Sequence, residues 1–312
     1  TMADPTGGTF SLVKDGPGTW QLDGSSTYTG GTVINAGVLR ISTGARVLGT
    51  GTVTINGGVL DLGTQTIQSI NPPPGNSYFM GIVTLAGGEL AATAGGMMLA
   101  DRVIPDSGLI SAELYGSGAF VKSNAGTVVL SAYNLFTGGA SLAAGKVEVA
   151  NAYAFGNLAT QTLTLSGGAL SSASTAAYVL PNNVTISANT TLGDVNVAKN
   201  GQLTFAGTTD LGASMRTLTV NSAIVFRGLV SGAGGVTKAG TGVLTLSGAN
   251  NFSGGTVVNA GRLRVGNNSA LGSAGLTLNN GSAFSSAGQT GAGVGDYTLT
   301  NALTLGGDVT LG

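Results

Sequence analysis

Residues 232–272 read GAGGVTKAGTGVLTLSGANNFSGGTVVNAGRLRVGNNSALG, and the second half of that stretch, from Asn250, is written twice more. Residues 26–49 read STYTGGTVINAGVLRISTGARVLG, and residues 134–156 read NLFTGGASLAAGKVEVANAYAFG. Aligned on their Gly pairs, Gly30-Gly31, Gly138-Gly139 and Gly254-Gly255, the copies lie 108 and 116 residues apart. Sixteen residues before each pair stands a Lys (Lys14, Lys122, Lys238), and eight after the Lys a Leu (Leu22, Leu130, Leu246). An aromatic precedes each pair by two residues (Tyr28, Phe136, Phe252), and a further Gly follows seven later (Gly37, Gly145, Gly261). Two alternating apolar residues close the motif: Leu39/Ile41, Val147/Val149 and Leu263/Val265. A long internal repeat is the first thing to explain.

The finer texture has period two. GVLTLSG (242–248), GTVVNAGRLRVG (255–266) and AGLTLNNG (274–281) alternate apolar with small polar residues, then break at Gly, Asn or Ser. That alternation marks short strands with one buried face. Composition agrees: Gly is 55 of 312 residues, hydrophobic residues reach 42%, and charged residues are only 8%, far below the usual ~25%. A sandwich gains nothing from repeating its sequence, whereas a solenoid buries each coil on the next. The expected fold is all-β, a right-handed parallel β-helix forming an elongated rod, with ~20–25 residues per coil. The repeat boundaries divide it into 1–7 as a lead-in, 8–115, 116–231 and a partial unit 232–312. TMADP reads as residue added ahead of the natural sequence. YVLPNNVTISANTTLG (178–193) aligns with YTLTNALTLGGDVTLG (297–312), so the array is expected to be a fragment of a longer one.

Several function classes fall away on composition. The chain has no Cys and no His, which removes thiol nucleophiles, imidazole bases and the commonest zinc ligands. With 12 basic and 13 acidic residues scattered along it, there is no basic stripe for nucleic acid. No apolar run approaches the ~18 residues of a membrane-spanning helix, and no signal peptide opens the chain. No catalytic residue, cofactor or metal site is assigned.

At the residues of 232–272 the chain closely resembles the passenger-associated transport repeat, also called the autotransporter-associated β-strand repeat. Its Thr-Lys-x-Gly step, Leu-Thr-Leu-Ser-Gly strand, aromatic, Gly-Gly-Thr and Ala-Gly-x-Leu strand are all present, with substitutions at 8–49 and 116–156. The resemblance implies a passenger of type V secretion, exported from a Gram-negative bacterium through an outer-membrane β-barrel translocator in the full-length chain. It implies an extracellular, cell-surface location, and makes the lack of Cys meaningful, because a periplasmic disulfide would obstruct an unfolded passenger. The function it implies is a non-catalytic structural or adhesive stalk, with host matrix, a glycan, a cell-surface ligand or a second copy as partner. The alternatives are a β-helix polysaccharide lyase or hydrolase, and a pure spacer.

Individual residues divide along the same line. Tyr28, Phe136 and Phe252 read as a core row; the Gly-Gly-Thr steps marked by Gly30, Gly138 and Gly254 as tight corners where Gly supplies positive φ; Lys14, Lys122 and Lys238 as solvated charges. Segment 101–122, DRVIPDSGLISAELYGSGAFVK, is the most charged part, and reads as a solvated loop. Asp101, Asp106 and Glu113 there are what an enzyme reading would need. INPPPGNSYFMG (70–81) breaks the strand texture with three prolines and leaves the coil wall. Tyr78, Phe79, Met80, Asp101, Arg102 and Asp106 are therefore the candidate partner-binding residues, where repetition fails.

Overall fold

In the computed structural model the described residues are 2–42, 48–64, 66–67, 82–99, 103–288 and 297–312. All regular structure among them is parallel β-strand, apart from one 3-10 turn at Val197–Lys199. Every strand pairs with one about twenty or more residues away in sequence, which is the signature of a β-solenoid. Two compact units are distinguished, Thr1–Gly139 and Ala140–Gly312.

In the first unit one stack of paired strands runs Leu12–Lys14, Thr32–Ile34, Val53–Ile55, then the near halves of Val83–Ala91 and Val103–Ile110. A second stack runs Thr19–Leu22, Val38–Ile41, Val59–Asp61, the far halves of those two long strands, and Thr127–Leu130. A third contains Thr66–Ile67, Met97–Leu99 and Glu113–Tyr115. Leu12 pairs with Thr32 and Thr32 with Val53, so one coil takes about twenty residues. The two long strands turn between stacks without a break, Val83–Ala91 with Gly87 at φ 148° and Val103–Ile110 with Gly108 at φ 123°. Gly is required there because a Cβ would disfavour such φ values.

The described part of segment 101–122, from Val103, is thus not a loop. Residues 103–110, Glu113–Tyr115 and Phe120–Lys122 are strands, because Val103, Pro105, Ile110, Leu114 and Phe120 all turn inward and are buried. Burial of those side chains is favourable by about 1.5–3 kcal/mol each for the larger ones, which outweighs the scattered charge.

The second unit has three clear stacks. One contains Ala140–Leu142, Thr162–Leu165, Asn183–Ile186, Thr209–Asp210 and Val230–Ser231. The next contains Lys146–Val149, Ala169–Ser172, Thr190–Leu192, Arg216–Val220, Val236–Ala239, Thr256–Val258, Leu276–Asn279 and Leu303–Gly306. The third runs from Tyr178–Leu180 through Leu203–Phe205, Ile224–Phe226, Val243–Leu246, Arg262–Val265 and Ala283–Ser286 to Thr310–Leu311. Inward aliphatics fill the interior, and Phe205 lies on Phe226 at 4.9 Å between ring centres.

The stacks carry a phase change that the alignment alone does not announce. Ala140–Leu142 and Thr256–Val258 follow equivalent Gly pairs, yet they belong to different stacks. Thr256–Val258 stands in line with Lys146–Val149, one face further round. The third copy is written in the same words but starts one wall later.

Candidate functional site

The repeated residues meet at a corner, and the surprise there is the Lys. Strands Leu12–Lys14, Phe120–Lys122 and Val236–Ala239 alternate buried and exposed positions, and Lys14, Lys122 and Lys238 fall on the buried parity. All three are 0% exposed, which corrects their reading as solvated charges. Lys14 Nζ donates to the carbonyl oxygens of Asp15 (3.2 Å), Gly16 (2.7 Å) and Ala36 (3.0 Å). Lys238 Nζ does the same to Ala239 (3.3 Å), Gly240 (2.8 Å) and Ala260 (2.9 Å). Lys122 Nζ donates to Asn124 O. An ammonium has three donors and no acceptor, so three inward-tilted carbonyls at a corner are a fitting shell for it. Burial pushes the Lys238 ammonium down to about 8 and also lowers Lys122, where the Asp106 carboxylate partly offsets the effect.

The cage explains the Ala-Gly step. Gly37 and Gly261 have φ of 67° and 65°. A Cβ at Gly37 would stand 2.6 Å from Lys14 Nζ, and one at Gly261 2.8 Å from Lys238 Nζ. The Lys and the Ala-Gly are a pair separated by one coil.

The Gly pairs divide their labour. The second Gly of each, Gly31, Gly139 and Gly255, has positive φ of 88°, 77° and 81°. Gly30, Gly138 and Gly254 do not, so the positive φ expected of each step belongs to its second Gly alone. They are glycine because the neighbouring backbone is too close: a Cβ would lie 2.5 Å from Phe10 O, 2.5 Å from Gly118 O and 2.4 Å from Gly234 C, respectively. Tyr28, Phe136 and Phe252 are each 0% exposed. Tyr28 shares a 2.6 Å hydrogen bond with Thr32 Oγ1 and meets Phe10 edge-on, while Phe136 stacks on Phe120.

Buried Asn is a part of the corner that the pattern reading passed over. Asn134 Oδ1 accepts from Leu114 N at 2.9 Å. Asn250 Oδ1 accepts from Val230 N at 2.7 Å, and its Nδ2 donates to Ala270 O at 2.7 Å. Each side chain acts as a piece of backbone between coils. The signal was available: Ser26, Asn134 and Asn250 all stand two residues before the aromatic.

Among the candidate partner-binding residues, Tyr78, Phe79, Met80, Asp101 and Arg102 lie outside the described residues. Asp106 lies within Val103–Ile110, beside a shift of register between Pro105 and Ser107. Glu113 sits in the neighbouring strand, half-buried. At the lead-in, Met2 N donates to Ser26 Oγ, and Asp4 accepts from Phe10 N, Thr29 N and Thr29 Oγ1, so residues 2–10 lean on the first repeat corner.

Two charged clusters lie on the walls. Asp61, 1% exposed, accepts from Arg40 Nε (2.8 Å), Gly63 N, Thr93 N and Thr93 Oγ1. Burial raises its pKa, but these donors outweigh it and hold it at about 2. Glu148, 2% exposed, receives Lys146 and Lys199 at 2.7 Å each, and Lys146 also pairs with Asp194. Burial works against the Lys146 ammonium, yet the two carboxylates hold its pKa above the usual lysine value. Among the described residues, no three His, Cys, Asp or Glu side chains gather as a metal site.

Comparison with known proteins places these corners in a family of repeats. The passenger-associated-transport-repeat model matches residues 12–41, 120–149 and 236–265, each span opening on the Lys-bearing strand and closing on the strand after Ala-Gly. Adhesin BmaC autotransporter of Brucella suis biovar 1 (strain 1330) is 37% identical over 92 residues, 29% of this chain. The chain spans only 3% of the length of that relative. No solved structure matches. The caged Lys, the paired Gly and the buried aromatic are therefore the working parts of three passenger-associated transport repeats, which this chain carries within a parallel β-solenoid.

Proposed function

We propose that the chain is a non-catalytic, adhesive stalk segment of an autotransporter passenger, displayed on the surface of a Gram-negative cell after export through a β-barrel translocator. One observation carries the reading. The Lys, the aromatic and the closing apolar pair that recur between copies are buried, so the repeat itself presents no reactive side chain. What faces outward is a set of in-register polar ladders. Ser141, Thr164, Thr185, Asp210 and Ser231 form one, and Thr217, Thr237, Thr277 and Thr304 another, interrupted by the apolar Val257. Successive members stand about 4.8 Å apart, as neighbouring strands do. Broad, weakly charged walls of this kind suit many shallow contacts with matrix, glycan or a second copy, summed by multivalency. The name of the BmaC relative, an adhesin, points the same way.

The test is binding of the purified chain to matrix-coated plates and host-cell monolayers, beside incubation with a panel of acidic polysaccharides. Saturable adhesion without new unsaturated or reducing ends is expected. Polysaccharide cleavage would replace this reading with the lyase or hydrolase one, and a folded chain that adheres to nothing would make it a spacer.

A further inference from the structure

Within the first unit lies a cavity of about 220 Å³ whose wall includes Ala92, Gly95, Ser111, Glu113, Ala132 and Tyr133. Glu113 is part of that wall, and its Oε1 is buried and accepts no hydrogen bond. A buried carboxyl oxygen with no donor is costly, and native proteins rarely leave one without a reason. Burial alone raises the Glu113 carboxyl above its usual range. Ser111 does not relieve it, because its hydroxyl is given to Glu89 Oε1. A second carboxylate thus stands behind the wall, and among the described residues no Lys or Arg lines the cavity. Tyr133 adds an aromatic ring at the mouth, 41% exposed.

None of this recurs. At the positions of Glu113 and Tyr133 the first copy has Pro5 and Ser25, and the third has Leu229 and Ala249. The cavity is built where the repeat departs from itself, so the packing that the repeat requires does not account for it.

We propose that this cavity is a recognition site for an alkylguanidinium group, the end of an arginine side chain on a partner protein. A carboxylate lacking a donor, a second carboxylate nearby, no competing cation among the described residues and an aromatic wall are complementary to a planar, weakly hydrated cation. Guanidinium both stacks on aromatic faces and donates in a fork to carboxylates. The volume is below the ~300–1,000 Å³ of pockets that enclose whole drug-sized ligands, and suits one side-chain end. The inference does not depend on adhesion: a stalk that adheres through its walls and a stalk that adheres to nothing could both hold this site.

The experiment is an NMR or calorimetric titration of the whole chain with Nα-acetyl-arginine amide, using Nα-acetyl-citrulline amide as the neutral isostere and a methyl glycoside as the sugar control. Saturable millimolar binding of the arginine probe is expected, with citrulline and glycoside at least about tenfold weaker. Glu113→Gln should weaken the arginine probe by about tenfold and Tyr133→Ala by about threefold to tenfold, with unchanged circular dichroism. Tyr133 is exposed, so its substitution tests the site even if Glu113→Gln perturbs the fold. No binding of the arginine probe, equal binding of citrulline, preference for the glycoside, or full binding by Tyr133→Ala would each overturn the proposal.

Discussion

Asp61 and Lys238 are buried charges held in opposite ways. Asp61 is surrounded by donors that hold its carboxyl at about 2, below an ordinary value of 3.8. A depressed carboxylate stabilises the fold at every pH above its unfolded value, and that contribution is lost as pH falls through the folded one. The shift corresponds to about 2 kcal/mol. Asp61→Asn should therefore be less stable than the parent by about 1–2 kcal/mol at pH 7 in urea unfolding, with the gap closing towards pH 2. A gap that persists unchanged at pH 2 would mean that geometry, not charge, is what Asp61 supplies. Lys238 is held by carbonyl dipoles instead of a counter-ion, and burial lowers its pKa. Reading Lys14, Lys122 and Lys238 as solvated follows from the high cost of burying an ammonium. Yet the alternation already put each Lys on the same parity as Leu12, Phe120 or Val236. What the sequence could not display was the cage, because its third carbonyl comes from the next coil.

At the scale of the element, the period-two pattern was enough to find strands such as Val243–Leu246 and Arg262–Val265, whose Leu244, Leu246, Leu263 and Val265 face in. It was not enough at 101–122, where charge density suggested a loop, although Val103, Ile110, Leu114 and Phe120 carry the coil through. The corner Asn was hidden for another reason: Asn reads equally as a turn former, and only its partners in adjacent coils reveal it as backbone surrogate. Asn250→Ala would leave Val230 N and Ala270 O buried without partners. At about 1–3 kcal/mol for a buried unsatisfied group, the variant should lose about 2–4 kcal/mol of local stability. Hydrogen exchange should report it as faster exchange at Val230, confined to the adjoining coils. Uniform acceleration across the second unit would contradict this local role.

For the whole molecule, the solenoid was legible from the repeat, but the phase of the copies was not. The longer second spacing, 116 against 108 residues, is what carries the third copy on to the next wall of the second unit. The corner travels with it intact. Lys238 keeps the same three kinds of carbonyl partner as Lys14, which implies that the repeat is a self-contained corner that any wall can accept. The non-recurring cavity at Glu113 and Tyr133 was legible only as a place where repetition fails, since its emptiness is a matter of side-chain volume. The central claim is that the repeat's own residues build coil contacts and offer nothing to a ligand, and the five lysines test it most directly. In lysine acylation of the folded chain read by mass spectrometry, Lys14, Lys122 and Lys238 should be protected while Lys199, with 38% of its side chain exposed, is modified. All five should react after denaturation. Modification of Lys14, Lys122 and Lys238 in the folded chain at the rate of Lys199 would contradict the account.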